Sequence, residues 1–217
     1  MRTLTLGLIF SIVAMFTYNY LKETVLYNNV PFIPFIVVSS IAAFIVALII
    51  SFKPATAPFL SIIYTILQGV AVAAISFIFN NLYNGIVLEA VACTMIVFFT
   101  MLLLFRAGII KATEKFKAVV ITATMSIAVF YLIMFVISFF GIRPEWYYGS
   151  TSISIGISVA IVIVAALNLI LDFDFIAKGE HYSLPKYMEW YAAFGLIVTI
   201  IWLYLEILRL LAKLKDR

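Results

Sequence analysis

The chain is 217 residues long, 66% hydrophobic and 11% charged, with a formal net charge of +4 and a mean hydropathy of +1.21. Soluble domains run at about 45–50% apolar and roughly 25% charged, so a water-soluble fold could not cover this much apolar surface. The basic residues sit at the ends of apolar runs, which excludes a nucleic-acid patch, and the lone Cys93 excludes an internal disulfide.

Uncharged runs cover 3–21, 24–52, 54–88, 90–105, 118–142, 146–171 and 190–205. A helix needs about 20 apolar residues to cross a bilayer, and strand-like alternation is absent, so the pattern predicts an all-α polytopic membrane protein. The first predicted span, 3–21, follows Arg2 and ends in Tyr18-Asn19-Tyr20 without a small-x-small cleavage pattern. It is therefore read as a retained helix rather than a signal peptide. Asn28 to Pro31 breaks the chain before a span at 31–51, and Lys53 to Pro58 before one at 57–79. Asn80 to Gly85 precedes 85–105, and the basic stretch Arg106, Lys111, Lys115 and Lys117 precedes 118–140. Gly141 to Gly149 leads into 149–171, where Ser150, Ser152, Ser154, Gly156 and Ser158 alternate in a pattern suited to close helix packing or a polar lining. Gly179 to Pro185 leads into the last span, 187–213. The whole chain, 1–217, reads as one transmembrane domain of seven helices.

Arg2 and the second, fourth and sixth loops carry Arg2, Lys53, Arg106, Lys111, Lys115, Lys117, Lys178 and Lys186, whereas the opposite loops carry Lys22 and Arg143. The positive-inside rule then predicts a cytoplasmic N-terminus in a cell membrane, with Arg209, Lys213, Lys215 and Arg217 on the far side.

Acidic residues are the informative ones, because a charge near the bilayer centre costs at least about 2.5–3.5 kcal/mol. Asp172 and Asp174 are expected to end the sixth span, two positions apart and so on opposite sides of the helix, at a C-terminus whose dipole calls for a compensating cation. Asp172 is read as functional. Asp174 is read either the same way or as an interfacial residue paired with Lys178 or Lys186. Glu206 shares a helix face with Arg209, which predicts an ion pair, the alternative being a polar lining group. Glu189 falls in the first turn of the last span, where the helix dipole and Lys186 suit an anion, and Glu89 lies one turn deeper in its own helix as a candidate vestibule carboxylate. His181 is a loop residue and Cys93 a packing one. No H-E-x-x-H, G-x-S-x-G or phosphate loop is present, so neither an enzyme nor a cofactor is expected.

The strings Asn84-Gly85-Ile86-Val87-Leu88-Glu89-Ala90 and Phe105-Arg106-Ala107-Gly108-Ile109-Ile110-Lys111-Ala112-Thr113, with Lys115-Phe116, resemble bacterial Bax inhibitor-1-like membrane proteins. So do Asn168 to Gly179, Pro185 to Tyr191 and Trp202 to Arg209, and the resemblance covers roughly 30–213. It implies a bundle in which six helices surround the last one, and a pH-sensitive calcium leak. In better understood members an aspartate ending the sixth helix shares a proton with one in the seventh. Asp172 matches the first, as the principal acid and a candidate calcium ligand. The second falls at Thr199, which does not ionise, so a shared proton would need Glu189 or Glu206 as a substitute. The resemblance thus points to calcium and protons as ligands in a lipid bilayer. The alternative is a non-conducting regulator that binds membrane proteases or other membrane proteins.

Overall fold

A computed structural model describes residues 2–28, 33–142, 144–182 and 184–217, all helix and connecting turns without a strand among them. The helices are α1 (Arg2–Asn28), α2 (Ile33–Phe52), α3 (Ala57–Leu82), α4 (Ile86–Arg106), α5 (Glu114–Phe139), the single turn α6 (Glu145–Tyr148), α7 (Ser152–His181) and α8 (Lys186–Lys215). A 3-10 turn, Pro54–Thr56, leads into α3. Of the expected break at Asn28 to Pro31, positions 29–31 lie outside the described residues, as does Arg143.

Among the described residues, six segments are long and apolar enough to cross a membrane: Arg2–Thr24, Pro54–Leu82, Ile86–Arg106, Glu114–Phe139, Ser152–His181 and Lys186–Lys215. Ile36–Phe52 is a shorter apolar helix. Large apolar side chains point outward from α4, with Leu88, Ile96 and Leu103 all more than half exposed. A bilayer is the solvent that suits such a surface.

Two boundaries differ most from expectation: α1 runs on to Asn28 rather than ending at 21, and α7 extends past 171, which puts His181 in the last turn of a helix rather than in a loop. The helix holding Asp172 and Asp174 does not end there but runs on to His181, so neither carboxylate sits at a helix C-terminus. Its amides pair within the backbone whatever the side chains carry, and the break comes only near Leu184 and Pro185, where proline removes a donor.

The contacts divide the chain into two compact units. Unit 1 comprises Met1–Asn84 and Phe175–Ile201, and unit 2 comprises Gly85–Asp174 and Trp202–Arg217. In unit 1, α1 and α2 both pack on α3, whose buried face is rich in small residues: Ser61, Thr65, Gly69, Ala71, Ala73 and Ala74. Small side chains let backbones approach closely where lipid offers no hydrophobic drive. At Gly69 a Cβ would meet Val13 Cγ1 at 3.1 Å, so α1 crosses where α3 has no side chain. Leu21, Ala74 and Phe77 form a core nearby, with Tyr18 edge-on to Phe77 at 5.8 Å and its hydroxyl accepting from Asn80 Nδ2 at 3.0 Å.

In unit 2, α4 packs on α7 through Phe98 and Phe173, whose rings meet edge-on at 5.6 Å. Asn168 of α7 donates to Thr124 Oγ1 of α5 at 2.7 Å, so a polar contact ties α5 to α7 as well. Two local signals set the helix ends between α4 and α5. Gly108, at φ +70°, closes α4 with Ile109 N bonded to Leu104 O, and Thr113 caps α5 by accepting from Phe116 N at 3.3 Å.

Candidate functional site

Glu206, Arg209 and Lys213 lie three and four residues apart and so line one face of α8 within unit 2. Glu206 is almost completely buried, a position that an ionised carboxylate tolerates only with partners. It has two. Tyr131 of α5 donates its hydroxyl proton to Glu206 Oε1 at 2.6 Å, and Arg209 Nη1 lies 3.1 and 3.2 Å from the two carboxylate oxygens. The same Nη1 donates to the Tyr131 oxygen at 3.2 Å and reaches the Tyr147 hydroxyl at 3.5 Å. The guanidinium carbon stands 5.5 Å from the centre of the Tyr131 ring, adding a cation–π contact. The ion pair predicted from helical spacing is present, and two tyrosines complete it.

Lys213, one turn further on, does not behave as a solvated basic end. Its ammonium is buried and donates to Tyr147 O at 2.8 Å and Ser158 Oγ at 2.9 Å, with Ser154 O at 3.4 Å. Ser154 Oγ also donates to Tyr147 O, at 2.7 Å. Two members of the alternating serine stripe therefore serve as oxygen ligands to a lysine, and together they hold α6 against α7 and α8. Burial raises the Tyr147 phenol above its ordinary value, with Arg209 opposing, so that side chain stays protonated.

The other expected residues divide between the units. Glu89 at the start of α4 pairs with Lys215 at 2.8 Å. Asp174 pairs with Lys117 of α5 at 3.1 Å, and Lys117 also holds Glu114 at 3.0 Å, so a cation from α5 compensates that aspartate. Asp172 is half-buried on α7 in the same unit. In unit 1, Thr199 is buried and donates its hydroxyl to Gly195 O of its own helix at 3.2 Å. Glu189 sits in the first turn of α8, as the dipole argument requires, and its ion pair reaches across to Arg2 of α1 at 3.6 Å. Arg2 in turn covers the Trp190 ring at 4.8 Å. Arg2 and Glu189 border a cleft of about 470 Å³ whose walls include Phe175, Glu180, Met188 and Ala193. Among the described residues no group of three or more His, Cys, Asp and Glu converges as a metal site.

Tyr131, Tyr147 and Lys213 were not singled out by the sequence. A tyrosine in an apolar run looks like packing, and its partner on α8 lies 75 residues away.

Comparison with curated proteins and with solved structures finds no match. The family model described as Bax inhibitor 1 like matches residues 1–216, nearly the whole of the sequence that carries these helices. The chain belongs to the Bax inhibitor 1 like family.

Proposed function

We propose that this is a seven-span protein of the cell membrane, with a cytoplasmic N-terminus and six helices around α8, that conducts or regulates a passive calcium leak. Asp172 is the principal acid in this reading. The observation that carries it is the position of Asp172 on α7: about 30 Å along the helix from Ser152 and about 13 Å before His181, using 1.5 Å per residue. In this reading the half-buried carboxylate lies at the edge of the hydrocarbon layer, where it attracts a cation to a pathway mouth. Calcium is cargo here, and Asp172 would supply oxygen ligands to it while carbonyls and water complete the six to eight that it takes. The family pattern supports the assignment, and Thr199 removes the second ionisable partner, so gating by one shared proton is not part of the reading. Purified protein in liposomes loaded with a calcium dye tests it. Flux above that of empty vesicles, reduced several-fold by Asp172→Asn, is expected; flux equal to empty vesicles, or insensitive to that change, overturns it.

A non-conducting regulator of membrane proteases or other membrane proteins is the second reading. It is favoured by the pairing of Glu206 with Arg209, Glu89 with Lys215 and Asp174 with Lys117, which uses these carboxylates as structural braces. Proximity labelling that recovers one stoichiometric membrane partner, together with no calcium flux, would decide for it.

A further inference from the structure

Among the described residues, Arg209 makes its hydrogen bonds through one nitrogen. Nη1 makes every contact to Glu206, Tyr131 and Tyr147, whereas Nε and Nη2 have no acceptor among the described residues. The side chain is 38% exposed, so Arg209 is not sealed inside the unit. Nε–H and Nη2–H together form the planar fork that grips two oxygens of a phosphate or carboxylate. The fork is also held in place, since Glu206 anchors its inner side and the Tyr131 ring packs against its face. Preorganisation of this kind removes part of the ordering cost of binding.

Two further observations identify the ligand. Within the hydrogen-bonded network, Arg209 and Lys213 bring two positive charges against the single negative charge of Glu206, which leaves a surplus that an anion would balance. The depth is set by α6. Its Trp146-Tyr147-Tyr148 run lies between two membrane-crossing segments, with Trp146 and Tyr148 partly exposed and Tyr147 reaching Arg209. Aromatic runs of this kind sit at the headgroup level of a bilayer. The anion that is always present at that level is the phosphodiester of a phospholipid.

We infer that the Nε and Nη2 edge of Arg209 is a binding site for the phosphodiester of a phospholipid headgroup. Binding alone tests the site. Full-length protein in detergent is mixed with dioleoyl phosphatidylglycerol, with dioleoylglycerol, which lacks the phosphate, or with inorganic phosphate, and native mass spectrometry counts what is retained. The phospholipid should be retained at least tenfold more than dioleoylglycerol, and Arg209→Lys, which keeps the charge but lacks the fork, should lower that retention about tenfold. Equal retention by Arg209→Lys and the parent chain overturns the proposal, as does inorganic phosphate binding as tightly as the phospholipid. Should Arg209→Lys fail to fold, Glu206→Gln with Arg209→Gln removes both charges of the pair together. Loss of the phospholipid from that double variant supports the site, and its persistence overturns it.

Discussion

The hydroxyl of Tyr131 both donates to Glu206 at 2.6 Å and accepts from Arg209 at 3.2 Å, standing between the two halves of an ion pair 75 and 78 residues further along the chain. A buried carboxylate depends on such donors, and a hydrogen bond to a charged group contributes about 1.5–3 kcal/mol. Tyr131→Phe should lower stability by about that amount. Thermal unfolding in detergent measures it, and an unchanged midpoint would show that Glu206 does not rely on Tyr131.

Removing one partner of a buried pair leaves the other uncompensated, at about 3–5 kcal/mol. Because Arg209 keeps 38% of its side chain exposed, Glu206→Gln should fall at the low end, about 3 kcal/mol. Adding Arg209→Gln should recover part of the loss, giving a coupling of about 0.5–3 kcal/mol in a double-mutant cycle. Strictly additive losses would mean that the pair contributes nothing as a pair.

Lys213→Met keeps the length of the side chain while deleting the ammonium that binds Tyr147 O and Ser158 Oγ. The expected signature is local: faster amide exchange at 145–148 and around Ser158, with α4 unaffected. Uniform exchange changes across unit 2 would show instead that Lys213 supports the unit as a whole.

Gly69→Leu would drive a side chain into Val13 where a Cβ alone already meets it at 3.1 Å. Overpacking of this kind costs about 1–3 kcal/mol. It should loosen α1 from α3, raising protease sensitivity between them, while the contacts of Glu206 stay as they are.

The helices were legible because charge segregation marks spans directly: 57–79 and 187–213 were expected, and Ala57–Leu82 and Lys186–Lys215 are found. Their ends were less legible, because a run of uncharged residues measures fit to lipid, whereas a helix stops for backbone reasons. This is why α7 continues beyond Asp172 and Asp174. Of the polar network, Glu206 with Arg209 could be read from helical spacing. The roles of Tyr131 and Lys213 could not, since they arise from contacts between distant segments. Glu189 illustrates the same limit: the helix dipole explains its position, but only the fold supplies Arg2 as its partner.

The ammonium of Lys213 reaches back 66 residues to the carbonyl of Tyr147 and 55 to the hydroxyl of Ser158. During synthesis, therefore, α6 and the start of α7 enter the membrane long before the side chain that fastens them exists. Until α8 is inserted, Glu206 and its tyrosine are also apart, and these polar groups must be tolerated by lipid, water or the insertion machinery. Assembly of unit 2 is thus a late event, completed only when the last helix arrives, and a pause in translation before α8 would prolong the exposure of these groups to quality control.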